Sequence, residues 1–255
     1  MNKFEQLVAI VAALRTPEKG CPWDLKQTRE SLIPNFIEEL YEVVEAIEDK
    51  DYYSLKEELG DLMLHIVMQA QISREQGLWN IDDVLDEIVS KLIRRHPHVF
   101  GELTLTDADA VKQNWERLKK AEKTERKSVL EGIPRSLPAL IQAQRTQEKA
   151  ASVGFDWQDI KPVLEKLDEE REELAEALNS NEQSAIQEEL GDMIFTLVNL
   201  ARKLHIDAES ALKECTRKFT RRFNTIEEHY RKNGEDINEA GLEELDAHWE
   251  RTKEH

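Results

Sequence analysis

The sequence predicts an all-α protein that consists of two tandem, homologous helical-bundle domains, and three observations carry this prediction. No stretch alternates apolar and polar residues as the strands of a sheet do. The nine glycines and seven prolines cluster at breaks between long segments that have helical periodicity. The third observation is an internal repeat, because residues 38–61 align without a gap with residues 169–192.

The repeat defines the order of the domains. Ten of the 24 aligned positions are identical, whereas chance would give roughly one or two. A tryptophan before the acidic segments, a Lys-x-x-Arg-Arg triplet after them and a final Trp-Glu-Arg-x-Lys also recur in the same order. We therefore predict a first domain at 1–120, a linker at 121–138 and a second domain at 139–255. Pro134 and Pro138 interrupt the charged helical stretch that enters the linker.

The individual helices follow from apolar spacing and from cap residues. Apolar residues on one face predict an amphipathic helix over residues 4–14, and residues 31–48 form the next long helix. Ser54, followed three residues later by a glutamate, predicts a capping box at the start of its partner helix. In the second domain, Asn179–Asn181 predicts the corresponding break and Ser184 the corresponding cap.

Composition and charge limit the classes of partner. The 53 acidic and 35 basic side chains give a formal net charge of −18, so the protein repels phosphate backbones and no nucleic-acid partner is expected. No apolar run approaches the ~20 residues of a membrane span, so no membrane partner is expected either. Two cysteines do not form a disulfide framework and suit a reducing compartment. We expect a cytoplasmic protein.

Paired acidic residues recur in each domain and predict a metal site. Two carboxylates lie three residues apart on each of two helices that a short turn makes antiparallel, so four carboxylates can converge. The second helix then continues as an apolar segment, which predicts burial on all sides. The alternative is a solvated acidic face, the usual role of glutamate runs. The acids are Glu39, Glu42, Glu58 and Asp61 in the first domain and Glu170, Glu173, Glu189 and Asp192 in the second.

Carboxylates that are crowded at the edge of a core require a cation. Two carboxylates 4 Å apart repel by about 4 kcal/mol at an effective dielectric constant of 20. All-oxygen ligation without Cys or His favours Mg²⁺ or Mn²⁺ over zinc or copper. A di-iron carboxylate bundle requires Glu-x-x-His, and none of the seven histidines has a glutamate three positions before it. We expect Mg²⁺ as the cofactor, with Mn²⁺ as the alternative.

The basic triplets predict a site for phosphate groups. Each triplet places three cations on one helix face, and guanidinium groups together with Mg²⁺ bind polyphosphates. The alternative is that the triplets pair with the many acids of the chain. The tryptophans that follow are either core residues or platforms for a base. These residues are Lys91, Arg94, Arg95 and Trp115 in the first domain and Lys218, Arg221, Arg222 and Trp249 in the second.

The motifs resemble a known family. Glu-Glu-x-x-Glu followed by Glu-x-x-Asp on paired helices is similar to the signature of the MazG-like, all-α nucleoside triphosphate pyrophosphohydrolases. The segments Gly20–Asp24 and Val153–Trp157 and the tandem arrangement also resemble this family, over nearly the whole chain. The resemblance implies hydrolysis of a nucleoside triphosphate between its α and β phosphates, which yields a monophosphate and pyrophosphate. It also implies a homo-oligomer, a dimer.

The resemblance further implies roles for individual residues. The eight acids would hold Mg²⁺, and Glu38 or Glu169 would orient the attacking water or accept its proton. Because both repeats keep the acids and the triplet, both are expected to bind metal and nucleotide. Two other functions stay open: a binding module without turnover, and a structural acidic bundle without nucleotide affinity. The substrate-binding candidates are Lys91, Arg94, Arg95, Trp115, Lys119, Lys166, Lys218, Arg221, Arg222, Trp249 and Lys253.

Overall fold

Helices form the regular structure of the computed structural model, which describes residues 1–122, 128–180 and 182–253. No strand occurs in these ranges, so the prediction of an all-α fold is confirmed. Within the same ranges, no helix combines the length and the apolar character that crossing a membrane requires.

The chain forms two compact units, Met1–Thr124 and Glu125–His255. The predicted linker, 121–138, contains residues 123–127, which lie outside the described residues. The helices of the first unit are α1 (Lys3–Leu14), α2 (Pro22–Lys26), α3 (Ile33–Glu48), α4 (Tyr52–Glu75), α5 (Ile81–Arg95), α6 (Pro97–Phe100) and α7 (Ala108–Ala121). Those of the second unit are α8 (Ala139–Ala151), α9 (Lys161–Ser180), α10 (Gln183–Lys203), α11 (Ala208–Asn233), a 3₁₀ turn at Ile237–Glu239 and α12 (Leu242–Arg251).

Both units repeat one packing arrangement. In the first unit α3 packs along α4, and α1 also packs on α4. In the second unit α9 packs along α10, and α8 packs on α10 in the same way. Short turns join the paired helices, which therefore run antiparallel. This geometry brings the acidic segments of each repeat to one face of a helix pair.

The cores lie on the inner faces of these helices. Val11, from the predicted apolar stripe of α1, is fully buried against Val67 and Ile72 of α4. In the second unit Val163 of α9 and Val198 of α10 are buried. Burial of side chains of this size stabilises the fold by about 1.5–3 kcal/mol each.

The start of α4 differs from the prediction. The helix begins at Tyr52, and Ser54 is not its cap. The side chain of Asp51 accepts hydrogen bonds from the backbone N–H groups of Tyr53 and Ser54, at 3.0 and 3.1 Å. Because an aspartate carboxylate already satisfies the free N–H groups at this earlier position, the helix starts sooner than the capping box predicts.

The corresponding prediction in the second unit is also wrong. Helix α10 begins at Gln183, and no side chain caps its first turn, so Ser184 lies inside the helix. Helix α9 continues to Ser180 and therefore includes Asn179, which was predicted to lie in the break, while Asn181 lies outside the described residues.

The prediction that α4 and α10 are buried on all sides is wrong for one face of each helix. Met63 and Ile66 of α4 are exposed, as are Leu190 and Ile194 of α10. The reason is that the packed helices cover only part of each circumference. Each unit therefore presents an apolar face next to its acidic segments.

Candidate metal and nucleotide site

The acids of the first unit converge where α3 and α4 pack together. Glu39 of α3 and Glu58 and Asp61 of α4 each offer a carboxylate oxygen, and these atoms all lie within 4.8 Å of one another. Glu42 is outside this group of three, but its charge acts on both Glu39 and Glu58. The structure thus groups three of the four predicted acids and keeps the fourth beside them.

Burial, and after it the repulsion between carboxylates, raises the pKa of acids in both clusters. Loss of hydration raises the pKa of Glu39 and of Glu58, and the neighbouring carboxylates raise it further. In the second unit, loss of hydration and then the charges of Glu173 and Asp192 raise the pKa of Glu189. Both clusters therefore favour a bound cation, which would relieve the repulsion.

A histidine that sequence reasoning did not select lies against the first cluster. His65 Nε2 is 3.9 Å from Glu39 Oε1, and the ring meets Phe36 edge-on with 5.9 Å between the ring centres. Burial lowers the pKa of His65. The ring is therefore neutral at neutral pH and does not neutralise the acids.

The second unit repeats the cluster on α9 and α10 and adds a cation. Glu170, Glu173 and Glu189 offer oxygen atoms within 4.8 Å of one another. Lys166 Nζ lies 2.9 Å from Glu170 Oε1, 2.8 Å from Glu169 Oε1 and 4.0 Å from Glu173 Oε2. Hydrogen bonds to Glu169 and Glu170 raise the pKa of Lys166, which is therefore charged throughout the physiological range.

A cavity of about 690 Å³ opens beside the second cluster. Glu170, Asp192 and Lys166 form one part of its wall. Cavities of this volume accommodate cofactor-sized ligands. The remaining wall contains aromatic and amide side chains from α8, α10 and the loop between α8 and α9: Phe155, Trp157, Phe195, Gln147 and Asn199.

Arg202 holds the loop that forms the aromatic wall. Its guanidinium donates to both carboxylate oxygens of Asp156, at 2.5 and 3.2 Å, and to Asn199 Oδ1 at 2.7 Å. Lys203 donates to the backbone carbonyl of Trp157 and lies 3.4 Å from Asp156. Burial alone would raise the pKa of Asp156, but pairing with Arg202 and Lys203 lowers it. These contacts tie the loop at Asp156 and Trp157 to α10.

The first unit has different residues at the positions that form this wall. In the register that aligns the acids, uncharged residues of the first unit replace three polar or cationic residues that line the cavity of the second. The corresponding pairs are Lys166 and Asn35, Asn199 and Met68, and Arg202 and Gln71.

The basic triplet of the first unit binds a carboxylate of its own chain. Arg94 Nε donates to Glu122 Oε1 at 2.6 Å, and Arg95 Nε donates to Glu122 Oε2 at 3.0 Å. The guanidinium of Arg95 also stacks over Trp115, 5.4 Å from the ring centre. The hydrogen bonds from the two arginines lower the pKa of Glu122 to about 2. Lys91 lies 3.4 Å from a glutamate one turn earlier, so this triplet pairs with acids.

The triplet of the second unit keeps the stacking contact without such a carboxylate. Arg222 lies over Trp249, 5.8 Å from the ring centre. Lys218 and Arg221 are exposed, and no acid in the described part of the chain lies within 4.0 Å of them. Lys253 pairs with a glutamate three residues earlier.

The structure places Glu170, Asp192 and Lys166 in the wall of one cavity but does not add the triplet to this wall. None of the triplet residues, Trp249 or Lys253 lines the cavity within the described part of the second unit. In the first unit Lys119 shares α7 with Trp115. Glu38 is exposed, whereas Glu169 is held by Lys166.

Comparison with known proteins decides the family. The model of the MazG nucleotide pyrophosphohydrolase domain matches residues 27–100 and again residues 158–226. The chain belongs to the MazG family. It is 49% identical to the nucleoside triphosphate pyrophosphohydrolase/pyrophosphatase MazG of Thermotoga maritima, over 98% of this chain and 95% of that protein. It is 41% identical to the nucleoside triphosphate pyrophosphohydrolase of Escherichia coli strain K12, over 99% of this chain and 98% of that protein.

A solved structure is also similar. The crystal structure of a mazG-related protein from Thermotoga maritima matches 46% of this chain and 98% of that chain, with 30% sequence identity and a TM-score of 0.39.

The two MazG matches each contain one acidic cluster and one basic triplet. The predicted family and the tandem repeat of MazG domains are therefore confirmed. Because the family is one of nucleotide pyrophosphohydrolases, the chain is a hydrolase that acts on phosphoanhydride bonds.

The residues that sequence reasoning missed are those in which the two MazG repeats differ. Arg202 and Asn199 lie on the same helix as two of the acids, but no motif shared by the two repeats includes them, because their counterparts are Gln71 and Met68. The sequence signal for these residues is a difference between the repeats: polar residues that one repeat has and the other lacks.

Proposed function

We propose that the chain hydrolyses nucleoside triphosphates between the α and β phosphates, with Mg²⁺ or Mn²⁺ as the cofactor, and releases a nucleoside monophosphate and pyrophosphate. The observation that carries this proposal is the cavity of the second unit, where an acidic cluster, Lys166 and an aromatic wall meet. The names of the relatives describe the same class of reaction.

The donor atoms of the second cluster fit a hard divalent ion. Glu170, Glu173 and Glu189 offer only oxygen ligands, within 4.8 Å of one another and on two packed helices. Asp192 lies one turn after Glu189 and lines the same cavity. These four acids would hold Mg²⁺, for which oxygen ligands are preferred. When bound, such an ion neutralises phosphate charge and lowers the pKa of a water molecule.

Side chains of this chain would bind and orient the triphosphate. Lys166 lines the cavity and offers charge-assisted hydrogen bonds to phosphate oxygens. Glu169 is more than half exposed beside Lys166, and its carboxylate would orient the attacking water or accept its proton. Phe155 and Trp157 offer flat apolar surfaces to a base. The hydrogen bonds of Arg202 hold this wall in position, which lowers the entropic cost of binding.

We place turnover in the second unit. The first unit keeps a cluster of acids, but Asn35 stands where the second unit has Lys166. Its two arginines, Arg94 and Arg95, already bind Glu122, so a phosphate group would have to displace a carboxylate. The first unit therefore supports binding of a metal ion better than binding of a triphosphate.

We also propose a homodimer in the cytoplasm. Exposed apolar side chains such as Ile37, Leu40, Met63 and Ile66 share the α3–α4 helix pair, and exposed apolar patches of this kind mark protein–protein contacts. Both cysteines are free thiols, as a reducing compartment allows.

The proposal is tested by incubation of the full chain with ATP and Mg²⁺ and separation of the products by ion-exchange chromatography. We expect AMP and pyrophosphate, no product in the presence of EDTA, and recovery of activity with Mn²⁺. Release of ADP and orthophosphate, or turnover that resists EDTA, would contradict it. Binding of nucleotide without turnover would instead favour a binding module.

A further inference from the structure

Lys166 occupies the position of a counter-ion inside the second acidic cluster. Its ammonium group lies 2.9 Å from Glu170 Oε1, 2.8 Å from Glu169 Oε1 and 4.0 Å from Glu173 Oε2. Glu170 and Glu173 also belong to the group of three acids whose oxygen atoms converge. The lysine is thus bound to the same carboxylates that would hold a divalent ion.

The burial of Glu170 explains why a counter-ion is present. Its side chain is only 6% exposed, so water does not solvate its charge. A buried carboxylate without a partner is strongly destabilising. The matching acid of the first unit, Glu39, has a side chain that is 21% exposed, and the residue four positions before it is Asn35, which carries no charge. The cation is therefore found beside the more buried of the two acids.

A divalent ion and the ammonium group compete for the same carboxylates. Mg²⁺ binds its oxygen ligands at about 2.0–2.1 Å and would repel a lysine that contacts the same carboxylates. Lysine is a point charge on a flexible four-carbon chain, so it can move without rearrangement of the helices. Lys166 also lines the cavity, which means that a displaced ammonium group stays beside the bound phosphates.

We propose that Lys166 is a mobile counter-ion that neutralises Glu170 in the metal-free enzyme and moves to the triphosphate when a divalent ion binds Glu170 and Glu173. This inference rests on the proposed function of the second unit. In this role Lys166 is a positioning residue that couples two binding events. A metal ion bound at the acids releases the ammonium group for phosphate, and phosphate that draws the ammonium group away frees the acids for metal. Each ligand therefore increases the affinity for the other by the same factor.

The test measures Mn²⁺ binding to the full chain by electron paramagnetic resonance of free Mn²⁺, with and without inorganic tripolyphosphate. The first cluster is disabled by Glu58→Gln with Asp61→Asn, so that the signal reports the second unit. Without tripolyphosphate, Lys166→Asn removes the competing cation and should bind Mn²⁺ about tenfold more tightly. Tripolyphosphate should increase the Mn²⁺ affinity of the protein that keeps Lys166. In Lys166→Asn, the factor of this increase should be about tenfold smaller.

Two further variants separate charge from structure. Lys166→Arg keeps the positive charge and should bind Mn²⁺ as the lysine form does. Asn35→Lys in the first unit, with the second cluster disabled by Glu173→Gln and Glu189→Gln, should weaken Mn²⁺ binding about tenfold. This reciprocal variant tests the same competition in a unit whose fold does not depend on Lys166.

The outcomes distinguish this inference from the function on which it rests. Tighter Mn²⁺ binding by Lys166→Asn and weaker binding by Asn35→Lys would support the counter-ion. Unchanged or weaker binding by Lys166→Asn, in a chain that otherwise binds Mn²⁺, would overturn the counter-ion and leave the metal site intact. Absence of Mn²⁺ binding in every variant, including the unsubstituted chain, would overturn the metal site and the counter-ion together.

Discussion

The two units carry equivalent sets of acids and differ in the positive charge around them. In the second unit Lys166 is bound to the cluster, and Arg202 fixes the wall of a cavity beside it. In the first unit the corresponding residues are Asn35 and Gln71, and the cluster is neighboured by His65, whose lowered pKa keeps it neutral. The comparison teaches that conservation of ligands between two copies of a domain does not conserve the surroundings that decide what is bound.

The basic triplets differ in whether a carboxylate of the chain pairs with their arginines. The first unit places Glu122 between Arg94 and Arg95, whereas the exposed Lys218 and Arg221 of the second unit have no such carboxylate in the described ranges. Both triplets keep an arginine stacked on a tryptophan. The stacking is thus common to the fold, and the availability of the arginines for phosphate is specific to one copy.

The largest expected effect comes from the metal ligands. Glu173→Gln preserves side-chain volume and removes a charged ligand from the second unit, so kcat should fall by about 10³-fold, as loss of charge stabilisation by a metal ion predicts. The matched substitution, Glu42→Gln in the first unit, should change kcat less than about twofold. Steady-state assays of both variants with ATP and Mg²⁺ make the comparison. Equal losses in the two variants would mean that both units turn over substrate.

The next effect concerns phosphate binding by the triplets. Arg221→Ala combined with Arg222→Ala should raise KM for ATP by about tenfold or more, because charge-assisted hydrogen bonds to phosphate are lost. The metal affinity of the acids should not change. Arg94→Ala combined with Arg95→Ala is the matched control, and KM should stay within about twofold. A large rise in KM for the control pair would show that Glu122 does not keep these arginines from phosphate.

A smaller effect is expected from removal of the carboxylate between the arginines. Glu122→Gln should let the first unit bind inorganic tripolyphosphate about tenfold more tightly, which titration calorimetry measures.

The same substitution should also change the pH dependence of stability. The pKa of Glu122 is lowered to about 2, so its ion pairs stabilise the fold above a pH of about 4.3 and are lost as the pH falls towards 2. The variant should therefore melt at a lower temperature than the parent at pH 7 but at the same temperature near pH 2. A melting difference that does not depend on pH would argue against the ion pairs as its cause.

The smallest effect is on stability without metal. The pKa of Glu39 is raised in the folded protein. Its contribution to the free energy of unfolding is therefore most favourable below a pH of about 4.3, where the carboxyl is protonated, and is lost as the pH rises through the pKa of the folded state. Glu39→Gln should therefore be more stable than the parent by about 1 kcal/mol at pH 7, and the difference should vanish near pH 4. Denaturant unfolding with EDTA at both pH values tests this. A variant that is less stable at pH 7 would identify the carboxylate as a structural partner.

Much of the fold follows from the sequence because it depends on local patterns. The apolar stripe of α1 and the break between α3 and α4 are set by residues close together in the chain, and the structure has both. The cap at Ser54 was predicted wrongly because Asp51 accepts the same N–H groups, and a motif does not rank such competitors. The cap at Ser184 was predicted wrongly because α10 begins at Gln183 without any side-chain cap.

The site was predictable where the repeat preserved it and not elsewhere. The acids converge because their spacing is helical and the helices are adjacent. The pairing of Arg95 with Glu122 depends on how α7 returns to α5, a contact between residues 27 positions apart that no local pattern encodes. The apolar segments of α4 and α10 predicted full burial, but apolar character alone does not state whether a face is covered within one unit.

The number of metal–nucleotide complexes that bind per chain tests the central claim most directly, namely that the second unit is the nucleotide site. Titration calorimetry of the full chain with α,β-methylene ATP and Mn²⁺, a substrate analogue that resists cleavage between the α and β phosphates, counts them. We expect one equivalent per chain, lost in Glu173→Gln and retained in Glu42→Gln. Two equivalents, or one equivalent that survives Glu173→Gln and disappears in Glu42→Gln, would contradict the account.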